Sequence, residues 1–414
     1  MDYKLLKKIF LDLFKIDKVK YKKIPVLTVA HDNDRGYLYN GRYYSQLIDS
    51  IEDDLKQNGI QCLSVARIIS SIKGDIAYGD VVSPEGAFAR ALITKRLKGL
   101  FNGKKYPYSH MEERIWGHIL DETGAKKVIA ILPSRELCVA CHKRGIWVAD
   151  VQHGVIANRH YWYGVDFRGN DPKNYLPSAF LVWDEPSAQV LEKYCIDKDV
   201  DVIRVGNRWV ARFVPIKPAD NMAKEIFHKE RLEDTEKKTI LVTLSWGMMD
   251  VVNGIIPSSL VELIKETSKE YRWLLRLHPN QLKGFATNEF KIFIDLFNAE
   301  LKNHAEWERP SYMSLPVLLL QTDLHISWIS STAIEASQMG IKSAMLDSRL
   351  RTGEFQDDYY EYYRNKGMVD FIENDKEIIK KWIELNVSVD KIPDDYTEFN
   401  ENYNKVLLAT ANVE

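Results

Sequence analysis

Short apolar runs rich in β-branched residues recur along this chain, and each is followed by a polar loop and a stretch with helical periodicity. Runs of about four to eight residues that are apolar throughout are typical of parallel strands covered by helices on both faces. The predicted strands are residues 24–30, 127–132, 147–152, 180–183 and 201–205 in the first half, and 239–244, 273–277, 323–329 and 342–346 in the second. We therefore predict an α/β fold of two tandem doubly wound units, with the carboxyl ends of both sheets at a shared cleft.

The boundaries of these units follow from where the pattern stops and restarts. The chain divides into five predicted segments, which are residues 1–23, 24–214, 215–238, 239–352 and 353–414. The segment 215–238, with Pro215 and Pro218 followed by a charged helical stretch, is the predicted linker. Helices are predicted at residues 44–57, 135–144, 258–271, 288–298 and 314–321.

The two ends of the chain carry opposite charge. Residues 1–23 hold eight lysines and three aspartates, and their apolar side chains recur at helical spacing. A helix that lies on an anionic membrane surface and a terminal helix packed on the body of the protein both produce this pattern. Residues 353–414 hold fifteen acidic and seven basic side chains and are predicted to form a solvated helical tail that packs its aromatic side chains across a domain surface.

Composition excludes several classes of protein. The 57 Lys and Arg side chains are balanced by 59 Asp and Glu, so we expect no bulk electrostatic attraction to nucleic acid. No apolar run approaches the roughly 20 residues that span a bilayer, and the first residues lack the pattern of a secretory signal. Four cysteines in 414 residues do not make a disulfide scaffold. We expect a soluble protein of the cytoplasm.

The most informative motif follows the predicted strand at 323–329. Ser330, Ser331 and Thr332 form the turn, and a helix is predicted to begin directly after them. Hydroxyl groups beside the unpaired N–H groups of a first helical turn can bind the oxygen atoms of a phosphate. Glu335, one turn further on, could accept a hydrogen bond from a ribose hydroxyl. An ordinary N-cap by one of the hydroxyls is the alternative interpretation.

A second candidate lies at the end of another strand in the same unit. Pro279 ends the strand and presents His278 at the carboxyl edge of the sheet. A histidine there can hold a leaving phosphate, and Arg276 is predicted to point to the same face and add positive charge. Ser245 follows the strand at 239–244 and completes this predicted set. A loop histidine bonded to a nearby carbonyl is the alternative for His278.

The first unit has its own candidates after the strand at 147–152. His153, between Gln152 and Gly154, is a candidate general base that takes a proton from an attacking hydroxyl, with a structural turn as the alternative. Aromatic and basic residues then follow between positions 158 and 168. A sugar-stacking surface and ordinary core packing both fit this segment, whose candidate sugar-binding residues are Arg159, Tyr161 and Trp162.

Acidic and cysteine motifs elsewhere are weaker. Asp32 and Asp34 follow the first strand, and either is an alternative general base. Their position after the first strand, rather than deep in a nucleotide-binding unit, disfavours a metal site. Cys138 and Cys141 match a haem-attachment pattern but fall within a predicted helix, which favours two half-buried cysteines. We expect neither a metal nor a cofactor.

Together these motifs resemble those of GT-B glycosyltransferases, and more narrowly bacterial surface-polysaccharide transferases of the capsule, Kdo, sialic acid and teichoic acid type. In those relatives a His-Pro pair and a Ser-Ser/Thr pair bind the nucleotide phosphate of the donor. The resemblance implies that role for His278 with Pro279 and for the hydroxyls of residues 330–332, and it places Glu335 on the ribose.

The resemblance leaves the general base open. Teichoic acid glycerophosphotransferases carry a Trp-His-Gly whose histidine acts as base, whereas Gln152, His153 and Gly154 are closer to the Gln-His-Gly of capsule proteins. Sialyltransferases instead place an acidic residue early in the N-terminal domain, which keeps Asp32 and Asp34 as alternatives.

The resemblance covers approximately residues 24–350 and implies a GT-B-like fold with two Rossmann-like domains. The first domain would bind the acceptor through Gln152, Arg159, Tyr161 and Trp162, and the second would bind a nucleotide sugar. The implied reaction is a metal-independent, inverting transfer of a sugar to a hydroxyl of a bacterial surface glycan such as capsule, O-antigen or lipooligosaccharide. A donor of the CMP-Kdo or CMP-sialic acid type is expected, and a CDP-linked alditol phosphate is the alternative.

Two other functions fit the same architecture. A nucleotide-sugar 2-epimerase is expected to carry Ser-Gly-Gly followed by paired glutamates, where this chain has Ser330, Ser331 and Thr332 followed by the single Glu335. A non-catalytic module that binds a nucleotide or a glycan is the other alternative. For the transferase, peripheral contact of residues 1–23 with the inner face of the cytoplasmic membrane is expected.

Overall fold

The computed structural model describes nine stretches of the chain, which are residues 10–31, 34–67, 76–103, 107–158, 171–214, 220–252, 254–282, 287–354 and 360–411. The chain forms two compact units. Unit 1 comprises the chain up to Arg208 together with the part from Thr397 onward, and unit 2 comprises Trp209–Tyr396.

Unit 1 is built on a seven-stranded parallel sheet and one antiparallel hairpin. Its strands are β1 (Val26–His31), β2 (Arg35–Tyr39), β3 (Arg42–Ser45), β4 (Cys62–Arg67), β5 (Val81–Val82), β6 (Lys127–Ala130), β7 (Trp147–Val151), β8 (Ala179–Val182) and β9 (Asp201–Arg204). The order across the sheet is β5-β4-β1-β6-β7-β8-β9, and β2 with β3 forms the hairpin.

Helices cover both faces of this sheet, which is why its central strands are mostly apolar. They are α1 (Ile48–Gln57), α2 (Glu85–Asn102), α3 (His110–Thr123), α4 (Arg135–His142) and α5 (Glu185–Cys195), with a 3₁₀ turn at Lys173–Tyr175. Alternate residues of β1 serve opposite faces. Leu27 and Val29 pack in one core cluster with Trp116, whereas Val26 and Ala30 pack in another with Leu55 of α1.

Unit 2 is built on a six-stranded parallel sheet. Its strands are β10 (Lys238–Thr243), β11 (Tyr271–Arg276), β12 (Ala305–Glu306), β13 (Leu324–Ser327), β14 (Lys342–Met345) and β15 (Val369–Phe371). The order across the sheet is β12-β11-β10-β13-β14-β15.

Short helices follow most strands of unit 2. After α6 (Arg208–Ala211), at the junction of the units, they are α7 (Asn221–Glu230), α8 (Met249–Val252), α9 (Ser258–Thr267), α10 (Pro279–Leu282), α11 (Thr287–Leu296), α12 (Glu308–Tyr312), α13 (Leu315–Leu320), α14 (Thr332–Gln338), α15 (Ser348–Thr352), α16 (Glu361–Asn365) and α17 (Lys376–Asn386). A π-helical turn at Phe297–Leu301 extends α11. The buried core joins Ile240 and Leu275 of the sheet to Phe293 of α11 and Ile379 of α17.

The C-terminal region contains a strand that the predicted helical tail did not include. Residues 369–371 form the edge strand β15, which pairs with β14. Val369 of this strand is buried. The last helix, α18 (Thr397–Ala411), belongs to unit 1, where Tyr403 and Val406 pack in the cluster that contains Leu55. The chain therefore passes between the units twice.

Several other boundaries differ from the sequence predictions. The helix predicted at 44–57 begins only at Ile48, because residues 42–45 are the second strand of a hairpin. The predicted linker 215–238 includes α7, whose Ala223 and Ile226 are buried within unit 2. Among the described residues, no helix is both long and apolar enough to cross a membrane.

The N-terminal segment is described from residue 10 onward. Residues 10–13 are helical, and the first nine residues of the predicted amphipathic helix lie outside the described residues. Phe10, Leu11 and Phe14 are 62%, 58% and 74% exposed, so most of the surface of each of these side chains is open to solvent.

Candidate functional site

The carboxyl edge of the unit 2 sheet has a switch point between β10 and β13. These strands lie side by side, but the chain continues from β10 to β11 on one side and from β13 to β14 on the other. In open α/β sheets a ligand crevice forms where connections diverge in this way. The residues predicted for phosphate binding lie at the end of β11, in the loops that follow β10, β11 and β13, and in the first turn of α14.

Two side-chain contacts fix the loop that follows β13. Ser245, after β10, donates from its hydroxyl to the carbonyl oxygen of Ile329 at 3.3 Å. The hydroxyl of Tyr360 accepts from the backbone N–H of Ser330 and donates to the carbonyl of the same residue, both at 2.9 Å. The loop is thus tied to β10 on one side and to the start of α16 on the other.

The hydroxyl residues divide their roles differently from the prediction. Ser330 Oγ accepts from the backbone N–H of Thr332 at 3.1 Å and lies 3.0 Å from Thr332 Oγ1, so Ser330 caps the turn. Ser331, at the N-cap position, makes no side-chain cap bond. Helix α14 has only seven residues. Side-chain hydroxyls, rather than a long helix dipole, are therefore the donors this loop offers.

His278 lies half-buried at the end of β11 and is held from several directions. Its Nδ1 accepts from the backbone N–H of Asn280 at 3.1 Å. In the neutral ring the proton then lies on Nε2, which is a hydrogen-bond donor. The indole of Trp246, in the loop after β10, lies 5.8 Å from the imidazole between ring centroids at an angle of 35°. This pair joins the loops of two neighbouring strands.

Arg276, predicted to point to the same face as His278, bonds to the backbone of a neighbouring segment. Its Nη1 donates to the carbonyl oxygens of Pro310 and Met313, the latter at 2.9 Å. Burial lowers the pKa of Arg276 to about 10, although the negative charges of Glu335 and Glu230 act in the opposite direction. The guanidinium is therefore a partly buried charge that bonds to the backbone of residues 310–313. The negative charge of Glu335 raises the pKa of Arg276, an interaction separate from its predicted contact with a ribose.

Unit 1 has a corresponding switch point between β1 and β6. The chain leaves β1 toward β4 and leaves β6 toward β7, on opposite sides. Leu132, just past β6, has a φ of +49°, a left-handed conformation that costs a branched residue energy. Its backbone N–H donates to Oδ1 of the buried Asp150 on β7 at 2.9 Å. A strained residue held by a buried carboxylate is typical of a functional edge.

Gln152 is a structural residue and differs from its predicted role in acceptor binding. Its side chain is buried, Oε1 accepts from the N–H of Trp183 at 2.7 Å, and Nε2 donates to Gly154 O and Ser187 Oγ at 2.9 and 3.0 Å. Both N–H groups of the side-chain amide thus form hydrogen bonds within unit 1. The amide holds the turn that carries the half-buried His153 at the end of β7.

The remaining candidates of unit 1 are only partly described. Asp34 lies in the loop after β1 and accepts from the backbone N–H of His31 at 2.8 Å, so it shapes that loop. Four predicted residues lie outside the described residues, and they are Asp32, Arg159, Tyr161 and Trp162. Asp34 and His153 follow strands separated by β6 at the same sheet edge.

The predicted helix cysteines are buried more fully than expected. Cys138 and Cys141 of α4 are both 0% exposed, and burial raises the pKa of the Cys141 thiol. Among the described residues, no three His, Cys, Asp or Glu side chains converge as metal ligands would.

Sequence reasoning missed four residues that organise the unit 2 edge. Trp246, Gln281, Glu289 and Tyr360 link loops that are distant in sequence. Trp246 alone carried a signal, because an aromatic residue between Ser245 and Gly247 at a strand end is a natural stacking surface.

Solved structures share this fold over nearly the whole chain. The UDP-GlcNAc 2-epimerase from Methanocaldococcus jannaschii is 13% identical, with a TM-score of 0.54 over 93% of this chain and 98% of that one. The UDP-GlcNAc 2-epimerase from Neisseria meningitidis, bound to UDP-GlcNAc, is 16% identical, with a TM-score of 0.55 over 93% and 99%. The wall teichoic acid polymerase TagF is 12% identical, with a TM-score of 0.54 over 99% and 88%.

Sequence comparison gives no such match, since no family model and no curated protein matches the chain. At identities this low the likeness concerns the fold. Two parallel sheets with Rossmann-like topology and their structural neighbours agree with the predicted fold class. The chain has the GT-B-like fold, an α/β fold of two tandem Rossmann-like domains.

Proposed function

We propose that this protein is a glycosyltransferase that moves a sugar from a nucleotide-activated donor to a hydroxyl group of a surface glycan. The observation that carries the proposal is the convergence of Trp246, His278 and the Ser330 loop at the switch point of unit 2. This set combines an aromatic surface, an imidazole donor and hydroxyl donors, which are the groups that a nucleotide phosphate requires.

On the donor side, each residue has a distinct proposed role. The Nε2–H of His278 and the hydroxyls of Ser331 and Thr332 donate to phosphate oxygens as negative charge develops on the leaving group. The hydroxyl of Ser330 donates to Thr332 Oγ1 and orders the turn. Trp246 offers its exposed face to the base or the sugar. Arg276 adds partly buried positive charge without touching the ligand, and Ser245 holds the loop.

On the acceptor side, His153 is the proposed general base, and Asp34 or Asp32 is the alternative. His153 follows β7 at the carboxyl edge of the unit 1 sheet, where the rigid Gln152 fixes its backbone. A base on a fixed turn keeps its geometry through the reaction, which favours proton transfer.

The proposed reaction exchanges one bond at the anomeric carbon. The acceptor oxygen forms a bond to that carbon, and the bond from the same carbon to the phosphate oxygen of the donor breaks. The electron pair leaves with the nucleotide, and the acceptor proton passes to the base. Inversion is the expected stereochemistry, and a CMP-linked sugar of the Kdo or sialic acid type is the donor we propose first.

Nucleotide binding is the first experiment. Thermal unfolding is followed with CMP, CDP, UDP, GDP and TDP, because a ligand that binds only the folded state raises Tm. At least one nucleotide is expected to raise Tm, and CMP would support the Kdo or sialic acid donor. A protein that none of the five stabilises would contradict the proposed function.

A variant of His278 tests the role in turnover. His278→Ala is expected to lower kcat by about 100-fold. Loss of one hydrogen-bond donor to the negative charge that develops in the transition state typically has an effect of this size. The matched control is His228→Ala, because His228 is exposed on α7 of the same unit. Equal nucleotide release by His278→Ala and the wild-type protein, with acceptor present, would rule out this assignment.

An epimerase is separated from a transferase by one incubation. UDP-GlcNAc is supplied without acceptor, and epimerisation of the sugar at C2 is followed by proton NMR. The transferase proposal expects no epimer. The solved 2-epimerases share the fold, so the appearance of the epimer would replace the proposed activity with epimerisation.

We also propose that residues 10–16 contact an anionic membrane that carries the acceptor. The exposure of Phe10, Leu11, Phe14 and Ile16 supports this, as does the net charge of +5 on residues 1–23. Apolar side chains flanked by lysines bind anionic bilayer surfaces through both effects.

A further inference from the structure

Glu289 connects the two segments that carry Trp246 and His278, which follow β10 and β11. It lies on α11, and one carboxylate oxygen accepts from the backbone N–H of Gly247 at 2.8 Å. The other oxygen accepts from Nε2 of Gln281 at 2.9 Å. One side chain therefore bonds to the segments that follow β10 and β11 at the same time.

Gln281 extends the connection to His278. Its side chain is buried, and its Oε1 accepts from the backbone N–H of His278 at 2.8 Å. The four groups form a continuous path from Gly247 through Glu289 and Gln281 to His278. Trp246 precedes Gly247, and its ring lies against the His278 ring.

Without these hydrogen bonds the turn at Trp246 and Gly247 would be less restrained. Trp246 is 46% exposed and Gly247 has a φ of +70°, so the backbone at this turn is intrinsically adaptable. A carboxylate that accepts two N–H bonds at good distances is a strong restraint on such a loop.

We propose that Glu289 is a positioning residue that holds Trp246 against His278 before the nucleotide arrives. The inference rests on the proposed function and adds a residue to the same site. Glu289 acts through the two loops and does not itself touch the ligand. Losing this alignment adds an ordering cost to binding, because the loops must then be fixed by the ligand.

The probe is the nucleotide, among CMP, CDP, UDP, GDP and TDP, that raises Tm of the wild-type protein most, and its Kd is measured by calorimetry. Glu289→Ala is expected to raise Kd about tenfold, which corresponds to the loss of one to two hydrogen bonds. Asp295→Ala, which removes an exposed acid from the same helix, is the control and is expected to leave Kd unchanged.

A second variant pair distinguishes positioning from general damage. In Glu289→Gln the new amide faces the amide of Gln281, so two donors meet and one bond is lost. Adding Gln281→Glu exchanges donor and acceptor and recreates the path from Gly247 to His278 with the same number of bonds. The double variant is expected to recover Kd to within about threefold of the wild-type value, while Glu289→Gln alone does not.

The coupling to Trp246 is the third readout. If Glu289 acts through this ring, Trp246→Ala added to Glu289→Ala raises Kd no further than Trp246→Ala alone. Additive losses, or a normal Kd in Glu289→Ala with unchanged Tm, would overturn the inference and leave the proposed function intact. A wild-type protein that binds none of the five nucleotides removes both.

Discussion

His325 is a buried histidine in the middle of the unit 2 sheet. It lies on β13, its Nε2 is 2.8 Å from Thr243 Oγ1 on β10, and its Nδ1 is 2.9 Å from Ser343 Oγ on β14. Burial lowers the pKa of His325 to about 3. Two hydroxyls satisfy the neutral ring, and the charged ring would lack both water and a carboxylate partner.

This residue predicts how acid affects unit 2. The folded pKa lies below that of the unfolded chain, about 6.5, so the stabilisation is complete above pH 6.5 and is lost as the pH falls toward 3. From pH 7.5 to pH 5, His325 alone is expected to lower the free energy of unfolding by about 2 kcal/mol.

Urea denaturation of the wild-type protein and of His325→Gln, at both pH values, measures this contribution. Glutamine keeps hydrogen-bonding groups at the site but does not titrate. The loss between the two pH values is expected to be about 2 kcal/mol smaller in the variant. Parallel losses in the two proteins would contradict a neutral buried imidazole.

The sequence predicted where the candidate site residues lie better than it predicted which groups they form hydrogen bonds with. The sequence placed His278, Ser330 and Ser245 at strand ends correctly, because a strand end is readable from the apolar pattern. It could not reveal that Arg276 bonds to carbonyls of residues 310–313, or that Gln152 is saturated by Trp183, Ser187 and Gly154. Apart from Gly154, which is two residues from Gln152, those partners come from distant segments whose positions depend on the tertiary fold.

At the scale of elements, the segment before β1 is fastened to the start of α2. The carboxylate of Asp17 accepts from the backbone N–H groups of Gly86 and Ala87 at 2.9 and 2.7 Å, and so satisfies the first turn of the helix. Nη1 of Arg90 donates to the carbonyls of Leu13 and Lys15 at 3.0 and 3.1 Å. These bonds fix the backbone while Phe10 and Phe14 remain exposed.

The proposed membrane contact can therefore be tested without disturbing the anchor. Phe10→Ser combined with Phe14→Ser is expected to lower partitioning onto phosphatidylglycerol-containing vesicles at least about tenfold, because two aromatic side chains no longer leave water. Co-sedimentation measures the bound fraction, and high salt is expected to weaken the binding of the wild-type protein.

The control for this experiment is Ile196→Ser, since Ile196 is 80% exposed elsewhere in unit 1. It is expected to sediment like the wild-type protein. Equal sedimentation of the double phenylalanine variant would show that these side chains do not enter the bilayer.

Most elements could be predicted, and the exceptions have physical causes. The strands with continuous apolar runs, such as β1 and β10, were predicted within two residues. β5 and β12 contain two residues each, too few for a pattern, and β4 is interrupted by Ser64 and ends in Arg67. β15 was hidden in an acidic region, because only Val369 and Phe371 mark it as apolar.

On the scale of the whole molecule, unit 1 includes a helix that follows unit 2 in the sequence. In α18, the Tyr403 ring lies 3.9 Å from the Arg208 guanidinium, and Asn402 donates to the carbonyl of Arg204 at 3.1 Å. Glu398 pairs with Arg204. The helix thus bonds to the strand and turn after which the chain leaves unit 1.

Removing the buried ring of this helix should affect one unit only. Tyr403→Ala is expected to lower the free energy of unfolding of unit 1 by about 3 kcal/mol or more, as loss of a buried aromatic side chain typically does. Native-state hydrogen exchange resolves this, because the amides of β7 and β9 would lose protection while those of β10 and β13 would not.

Asn404→Ala is the matched control, because Asn404 is exposed on the same helix. It is expected to leave protection in both units unchanged. Equal loss of protection in β10 would mean that the two units unfold together.

The double passage of the chain has a consequence for synthesis on the ribosome. Residues up to Arg208 of unit 1 are translated before unit 2, yet the helix that packs in one cluster with Ile48 and Leu55 emerges only after the whole of unit 2. Unit 2, encoded by one uninterrupted stretch, can mature while the nascent first unit still has an uncovered apolar face. Unit 2 is translated later but can complete its folding first. Chaperones therefore have more time to act on the unfinished amino-terminal half.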